Sequence, residues 1–273
     1  MLKSPHTHYR RIYTYHLEAA SLPVITDSDL IGVWPEGTTF ILFFHAAKNE
    51  LIDKLCAQTD ARLVYEADLS YADWETGFLP TTFIESGMTI APIWEETEAD
   101  LYIDPSVVFG NGFHPSTRLC LRQLLSLLDG HLTEIDSAID LGCGTGLLAM
   151  AAAKRGVSKV KAVDNNPLCC QVALANVVRN RVEDRIQVSR EDLFSPIAPM
   201  QAALAIANLH SELLAHLMKQ PAFWQARYYI FSGFMPGDEE RLLSLLPAEI
   251  RMEHRARLEK WCLWHLARDP LQR

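Results

Sequence analysis

The sequence predicts an α/β fold in which a mostly parallel sheet of seven strands ends in an antiparallel pair and follows a small α+β domain. Two observations support this prediction. From residue 138 onward, short apolar runs alternate with stretches of strong helix formers, which is the order of parallel strands joined by crossover helices. Before residue 96, strand-like and helix-like segments alternate without a chemical motif. We therefore expect a small domain over residues 1–95 and an α/β domain over residues 96–273.

The composition limits the classes of function. The net charge of −9 argues against a nucleic-acid binder, because phosphate contacts require a basic surface, and an acidic enzyme suits a basic substrate better. The six cysteines show no paired Cys-x-x-Cys spacing, so we expect reduced thiols and no metal site. No signal peptide and no membrane-spanning run is expected, which predicts a cytoplasmic protein without a membrane partner.

In the small domain, aromatic and β-branched runs predict strands, and an amphipathic pattern predicts a helix over residues 49–58. A connecting region over residues 71–100 contains a predicted strand at residues 88–93 and a cluster of acidic residues, which we interpret as a solvated boundary. The strands of the small domain are predicted at residues 9–17, 31–33, 40–44 and 62–65.

The segment at residues 101–117 is rich in residues that interrupt regular structure. It contains two glycines, two prolines, Asn111 and His114, so we predict a shaped loop that ends by capping a helix. The predicted cap is Ser116 or Thr117, and leucines at 3.6-residue spacing predict the helix over residues 118–128. Two interpretations stay open, namely a loop that closes over a ligand and an irregular linker before a capped helix.

A glycine-rich turn follows the predicted strand at residues 138–141. Residues 140–146 read Asp-Leu-Gly-Cys-Gly-Thr-Gly, and a helix is predicted over residues 147–155. The glycines permit a sharp turn and the close approach of a ligand, and we expect their amides to point outward at the start of the helix. The next strand, at residues 159–163, places Asp164 at its carboxyl end, where a carboxylate suits the two hydroxyls of a ribose. The unit predicts a nucleoside-containing cofactor, bound by Gly142, Gly144, Gly146 and Asp164.

The residues around the glycines bear on the identity of the cofactor. The spacing that starts at Gly144, with Asp164 twenty residues later, also satisfies the dinucleotide fingerprint, so NAD stays open. Asp140 favours S-adenosylmethionine, because a carboxylate there can receive the ammonium of the methionine moiety but would repel a pyrophosphate. The block resembles the first motif of class I methyltransferases. A glycine turn that binds no ligand is the third interpretation.

The remaining strands deliver further polar residues to the same sheet edge. Asp192 follows a strand at residues 186–188 and is our candidate acceptor for the adenine amino group, with a surface acid as the alternative. Asn208 follows a strand at residues 203–207 and reaches the carboxyl edge, where α/β sheets hold ligands, although it can also cap the next helix. The other predicted elements are helices at residues 168–179, 211–218 and 238–246, and strands at residues 228–232, 250–260 and 262–267.

Several motifs together resemble the PrmA family, the bacterial methyltransferases of ribosomal protein L11. They are Asp-Pro at 104–105, Phe-Gly-Asn-Gly-Phe-His-Pro-Ser-Thr at 109–117, the glycine block, Val-Asp-Asn-Asn-Pro at 163–167 and Ala-Asn-Leu at 207–209. The resemblance extends from about residue 71 to the end and implies a class I, Rossmann-like methyltransferase domain behind a small substrate-recognition domain. It implies S-adenosylmethionine as the cofactor, held also by Phe109, Gly110, Thr117, Asn165 and Asn208.

The chain departs from this family pattern at several positions. The family loop usually has threonines where this chain has Asn111 and Phe113, and the family's Asn-Ile-Leu is Asn-Leu-His at residues 208–210. The amino-terminal domain shows no clear match. The identity of the protein substrate is therefore open at this point.

The chemistry of methyl transfer defines what the site must do. Displacement at a sulfonium requires a neutral nucleophile in line with the methyl group, at about 3 Å. A lysine or an α-amine must first lose a proton, which a desolvated pocket favours. We expect Asn208 to orient the amine as the catalytic residue, while His114 and Asp104 either accept a proton or shape the loop.

The predicted function is the S-adenosylmethionine-dependent methylation of lysine or amino-terminal amines in a ribosomal protein such as L11. Two alternatives stay open, a small-molecule methyltransferase and a non-catalytic protein that binds the cofactor and uses its small domain as an interaction module. They differ in whether methyl groups from the cofactor reach a protein, reach a metabolite or stay on the cofactor.

Overall fold

The computed structural model describes residues 10–75 and 79–269, and within them the strands form three sheets. The first sheet is antiparallel, has the strand order β2-β3-β1-β4 and is flanked by helix α1 (Asn49–Gln58). Helix α2 (Tyr71–Glu75) follows its last strand directly. The four strands are β1 (Arg11–Glu18), β2 (Leu30–Glu36), β3 (Thr39–Phe44) and β4 (Arg62–Ser70).

Strand β3 of this sheet is buried on both faces. Because successive strand residues point to opposite faces, Phe43 and Phe44 are both fully buried but lie in different cores. Phe44 packs with Ile52 of α1 in one core, and Phe43 belongs to a second core that includes Leu168 of the α/β domain. The small sheet is therefore packed against the larger domain through one of its faces.

A three-stranded sheet follows the small sheet in sequence and packs against helices of the α/β domain. It consists of β5 (Phe83–Glu85), β6 (Met88–Pro92) and β7 (Leu101–Ile103), with β5 antiparallel and β7 parallel to β6. The sequence prediction of a loop throughout residues 101–117 was wrong at its start, because Leu101 and Ile103 are buried and their segment pairs with β6. The domain boundary at residue 95 stays a prediction, and β6 and β7 lie on its two sides.

The largest sheet has seven strands in the order β10-β9-β8-β11-β12-β14-β13, and all neighbours are parallel except the pairs made by β14. This is the predicted mostly parallel sheet with an antiparallel end, so the fold prediction is confirmed. The strands are β8 (Ser137–Leu141), β9 (Lys159–Asp164), β10 (Ile186–Arg190), β11 (Leu204–Asn208), β12 (Tyr228–Phe234), β13 (Ile250–Leu258) and β14 (Trp261–Arg268).

Helices cover both faces of the seven-stranded sheet. The core on one face holds residues of the helices at 115–131, 147–154 and 167–179, and the core on the other face holds residues of those at 211–218 and 239–243. Within residues 10–75 and 79–269, no helix has the length and apolar character needed to cross a membrane. The helices are α3 (Pro115–His131), α4 (Leu147–Lys154), α5 (Pro167–Arg179), α6 (Ser211–Met218) and α7 (Glu239–Leu243).

The start of α3 differs from the prediction. Ser116 and Thr117 were the expected caps, but the helix begins at Pro115 and the Nδ1 atom of His114 accepts from the Ser116 amide at 3.3 Å. Proline is favoured in the first turn because its missing N–H needs no partner there. The cap is therefore His114, and Thr117 is left inside the first turn with its side chain directed into the protein.

The strand order places the predicted site residues together. It reverses between β8 and β11, so the carboxyl ends of these strands flank the crevice in which open α/β sheets bind ligands. β8 ends at the glycine turn, β9 ends at Asp164 and β11 ends at Asn208. Three segments that are distant in sequence thereby meet at one edge.

Candidate active site

The glycine turn after β8 is held by hydrogen bonds within the protein. The amides of Gly142, Gly144 and Gly146 all donate to protein acceptors, so the prediction that they point outward was wrong. Two of the three acceptors belong to β9, so the turn folds back on this strand. The acceptors are, in order, the carbonyl oxygen of Val163, a carboxylate oxygen of Asp164 and the carbonyl oxygen of Cys143, at 2.8, 3.0 and 2.8 Å.

Gly144 has no room for a side chain. Its φ is +52°, and a Cβ atom built on it would lie 2.2 Å from the carbonyl oxygen of Phe109. Residues with a side chain rarely adopt this φ. The clash would also be with a backbone oxygen, which cannot move aside as the end of a flexible side chain could. The glycine at this position lets the loop after β7 lie directly on the glycine turn.

Asp164 is partly exposed at the end of β9 and connects the turn to helix α5. Its Oδ2 atom accepts from Gly144, and its Oδ1 atom accepts from the Asn166 amide at 2.9 Å. Burial raises the pKa of this carboxyl above its usual value, and the two amides oppose the increase. The carboxylate lies at the carboxyl end of β9, where the sequence analysis expected it to bind the hydroxyls of a ribose, and that role stays a prediction.

Three thiols surround Asp164, which the sequence analysis did not anticipate. Cys143 lies in the glycine turn, and Cys169 and Cys170 lie in the first turn of α5. Burial raises the pKa of all three thiols, and the charge of Asp164 raises them further. They are therefore protonated at neutral pH and unsuited to act as nucleophiles.

The loop between β7 and α3 is fastened onto the glycine turn. Thr145 donates from its amide to the carbonyl oxygen of Phe109 at 3.0 Å and from its hydroxyl to that of Gly110 at 2.6 Å. Both predicted cofactor residues of this loop thus contact the turn through their backbone, while the Phe109 side chain stays 50% exposed. The loop lies on the glycine turn, and the interpretation that it closes over a ligand stays a prediction.

Asn176 of α5 and Asn180, the residue that follows this helix, were missed by the sequence analysis and hold β7 and the start of this loop. Asn180 accepts from the Tyr102 amide and donates to the Tyr102 carbonyl, at 2.8 and 2.7 Å. One turn earlier, Asn176 makes the same pair of bonds with Asp104, at 2.9 Å each, and also donates to the Thr145 carbonyl at 3.0 Å. Because residues four apart share a helix face, the two carboxamides act on β7 like a neighbouring strand.

Asp140 lies beneath the glycine turn and is 1% exposed. Its Oδ2 atom accepts from the Ala149 amide in the first turn of α4 at 3.1 Å. Burial raises the pKa of this carboxyl to about 7, the Ala149 amide opposes the increase, and the nearby Asp164 adds to it. The observed bond is a contact within the protein, and the predicted contact with a ligand ammonium stays a prediction.

Asn208 and Thr117 are brought together at the end of β11. The Nδ2 atom of Asn208 donates to the Oγ1 atom of Thr117 at 3.2 Å, whereas its Oδ1 atom is buried and has no hydrogen-bond partner. A buried, unsatisfied amide oxygen is costly and marks a place where a ligand N–H fits. Asn208 does not cap α6, since His210 fills that position.

A row of aromatic rings borders the loop. His114 lies between Phe109 and Trp261, with ring centroids 4.9 and 4.7 Å away. Burial lowers the pKa of His114, so the ring is neutral at pH 7. Because Nδ1 accepts from the Ser116 amide, the ring proton of the neutral form lies on Nε2. His114 therefore shapes the loop in this structure and has no free acceptor nitrogen.

The two outer candidates lie at the rim of the crevice. Asn165 is exposed, and its carbonyl oxygen accepts from Arg190 at 3.0 Å. Asp192 is also exposed, and its carboxylate holds its own turn by accepting from the Phe194 amide and the Ser195 hydroxyl, at 3.0 and 3.1 Å. Their roles toward a cofactor stay predictions.

A cavity of about 590 Å³ opens elsewhere, on the sheet face beside the loop that joins β10 to β11. That connection has no helix, so Lys161 and Gln187 line an uncovered part of the sheet. None of the predicted site residues lines this cavity. The crevice at the carboxyl edge, which the strand reversal explains, is the better candidate for the active site.

Comparison with known proteins identifies the family. The sequence profile described as "Ribosomal protein L11 methyltransferase (PrmA)" matches residues 4–269. The chain belongs to the PrmA family. The family resemblance inferred from the motifs is confirmed, and the match also includes the small domain, for which the motifs showed no resemblance.

Relatives in sequence agree with this assignment, and a solved structure has the same fold. The ribosomal protein L11 methyltransferase of Heliobacterium modesticaldum is 32% identical over 208 residues, which are 69% of this chain and 64% of the relative. That of Pelotomaculum thermopropionicum is 36% identical over 65% of this chain and 57% of the relative. The chain thus spans less than two thirds of the length of these relatives. A crystal structure of a ribosomal protein L11 methylase from Lactobacillus delbrueckii subsp. bulgaricus, 24% identical, has the same fold, with a TM-score of 0.58 over 70% of this chain and all of that chain.

Proposed function

We propose that this chain is an S-adenosylmethionine-dependent methyltransferase that modifies amines of ribosomal protein L11. The observation that carries the proposal is the position of Asn208, whose unsatisfied Oδ1 atom lies at the same sheet edge as Asp164 and the glycine turn. Such an edge suits a nucleoside cofactor, and the adjacent amide oxygen suits an amine donor. The PrmA family and the names of the relatives support the choice of methyl transfer and of the protein substrate.

The residues of the crevice fit S-adenosylmethionine, which supplies an electrophilic methyl group when bound. In this proposal the carboxylate of Asp164 accepts the ribose hydroxyls, and Asp192 accepts the adenine amino group after its turn rearranges. Phe109, Gly110 and Thr145 close the loop beside the cofactor. The methionine ammonium lies toward Asp140, and Asn165 lies beside the adenosine.

Asn208 orients the amine of the substrate. In this proposal Thr117 fixes the Nδ2 end of the carboxamide, and the buried, unpaired Oδ1 atom accepts an N–H of the incoming neutral amine. The aromatic row of Phe109, His114 and Trp261 reduces the water around the amine, which favours its neutral form. Since His114 has no free acceptor nitrogen, the amine loses its proton to solvent before it enters.

A cytoplasmic location belongs to the same proposal and agrees with the six free cysteines. The expectation of no direct nucleic-acid contact also stays a prediction. The location and the lack of nucleic-acid contact were inferred from the cysteine content and the net charge. Neither statement depends on the assignment of the site residues.

The test incubates the purified chain with labelled S-adenosylmethionine and unmodified ribosomal protein L11, in parallel with total cell protein and a metabolite extract. We expect label on L11, with the modified amines located by mass spectrometry, and about 100-fold slower labelling with the Asn208→Ala variant. Label on another protein would reassign the substrate. Label only on metabolites, or cofactor binding with no label anywhere, would overturn the proposal.

A further inference from the structure

Tyr71 connects the small domain to the loop that closes the active site. It is fully buried at the start of α2, and its hydroxyl donates to the carbonyl oxygen of Ser106 at 2.6 Å. Ser106 is 1% exposed and has a φ of +50°, a left-handed conformation that is unfavourable for serine and that surrounding contacts must maintain. The hydrogen bond from Tyr71 is one of those contacts.

From Ser106 the chain continues directly into residues 107–110. These residues belong to the loop between β7 and α3, which we call the cofactor loop because it contains the predicted cofactor residues. Val107 and Val108 are buried in the same core as Phe43 of the small sheet. The next two residues, Phe109 and Gly110, are those whose carbonyl oxygens accept from Thr145 in the glycine turn. Five consecutive residues thus connect the small domain to the glycine turn without a flexible segment between them.

A second contact connects the small sheet to helix α5. A Cβ atom built on Gly32 of β2 would lie 2.3 Å from a methyl carbon of Leu168, so the strand and the helix are in direct contact. Leu168 lies four residues after Asp164 and belongs to the same core as Val108. The small sheet therefore touches both segments that flank the predicted ribose site.

We propose that Tyr71 is a positioning residue through which the packing of the small domain sets the affinity for the cofactor. When Tyr71 holds Ser106, residues 107–110 lie on the glycine turn and the crevice is preformed. When the contact is lost, these residues are less ordered before the cofactor binds. Ordering them then costs part of the free energy of cofactor binding, so the affinity falls. Because such coupling is reciprocal, a substrate that binds the small domain in this packed position also tightens cofactor binding. The proposal rests on the proposed use of S-adenosylmethionine.

The first test compares two tyrosine variants of the same domain. Tyr71→Phe removes the bond to Ser106, and Tyr15→Phe removes bonds of a similarly buried hydroxyl to Asn49 and Lys48 on the other face of the sheet. We expect the Kd for S-adenosylmethionine, measured by calorimetry without protein substrate, to rise about three- to tenfold in Tyr71→Phe only. The KM for the cofactor should rise equally, while kcat at saturating cofactor stays unchanged.

The second test uses the adjacent residues Phe43 and Phe44, which are both fully buried but face different cores. Phe43→Leu loosens the core shared with the cofactor loop, and Phe44→Leu loosens the core shared with α1. The Kd should rise in the first variant and stay within twofold in the second, at comparable losses of thermal stability.

Unchanged affinity in Tyr71→Phe, or an equal loss of affinity in the control variants, would overturn the positioning role. The proposed function fails separately, when the wild-type chain binds the cofactor but leaves L11 unlabelled. A wild-type chain that does not bind S-adenosylmethionine would overturn both.

Discussion

At the scale of single residues, the orientation of the Asn208 carboxamide is the feature closest to the chemistry. Thr117 binds its nitrogen, which leaves the oxygen buried without a partner. We expect Asn208→Ala to lower kcat about 100-fold, because a misplaced amine loses its alignment with the methyl group. The Kd for S-adenosylmethionine should change less than threefold. Steady-state kinetics and calorimetry measure these two quantities.

Thr117→Val is the matched variant for this prediction, since valine keeps the shape of threonine and removes only the hydroxyl. It should lower kcat about tenfold or less, because the carboxamide remains but is free to rotate. A wild-type kcat in Asn208→Ala would contradict the assignment of Asn208 as the catalytic residue. A large loss of cofactor affinity with unchanged kcat would instead make it a binding residue.

Asp140 makes a prediction about stability and pH. Its folded-state pKa, raised by burial to about 7, lies above the ordinary aspartate value of about 3.9. The stabilising contribution is therefore complete below about pH 4 and is lost as the pH rises through about 7. A shift of this size corresponds to at most about 4 kcal/mol.

The variant Asp140→Asn cannot ionise and still accepts from the Ala149 amide. Relative to the wild type, its free energy of unfolding should therefore rise between about pH 4 and pH 8, by up to about 4 kcal/mol. Urea unfolding at several pH values measures the difference between the two proteins, which cancels the other titrating groups. A difference independent of pH would show that Asp140 stays ionised in the folded protein.

At the scale of elements, helix α5 does more than cover the sheet. Asn176 and Asn180 bind the backbone of the segment that includes β7, so either alanine variant leaves buried amide and carbonyl groups without partners. We expect each variant to lose about 2 to 4 kcal/mol of unfolding free energy. The control Leu174→Ala, on the exposed side of the same helix, should lose less than about 1 kcal/mol. Denaturant unfolding of the three variants measures these free energies. Equal losses of unfolding free energy in all three would contradict the role of the carboxamides.

The sequence predicted the elements whose signals are local. Apolar periodicity and the proline at position 167 predicted α5 to within one residue, and the uniformly apolar run before Asn208 predicted β11. The strand Leu101–Ile103 was missed because its partners are β6 and two asparagine side chains far along the chain. Nothing in the local pattern distinguishes Asn176 and Asn180 from surface residues of an amphipathic helix.

The candidate site shows the same division between local and distant information. The glycine turn and Asp164 were predictable because strand, turn and following acid are adjacent in the chain. The direction of the glycine amides was not, since their acceptors belong to β9 and to the turn itself. The cap of α3 was misassigned for a similar reason, because a histidine ring accepts the amide that a serine or threonine was expected to bind.

At the scale of the whole molecule, charge is distributed unevenly between the two units. Residues 10–75 contain eleven acidic and five basic side chains, a net charge of −6, compared with −9 for the entire chain. The acidic unit is also the one packed on the cofactor loop. If the protein substrate is basic, as the sequence analysis expects, this acidic unit attracts it.

This distribution predicts how the reaction responds to salt. Attraction between an acidic domain and a basic substrate acts over the Debye length, which falls from about 14 Å at 0.05 M salt to about 5 Å at 0.4 M. We expect kcat/KM for the protein substrate to fall about tenfold over this range, because fewer encounters are steered to the enzyme. The KM for S-adenosylmethionine should change less than twofold, since contacts inside the crevice are poorly screened. Initial rates at several salt concentrations, with each substrate varied in turn, separate the two effects. A kcat/KM for the protein substrate that does not respond to salt would mean that the small domain recognises its partner by shape and apolar contact, with no contribution from its net charge.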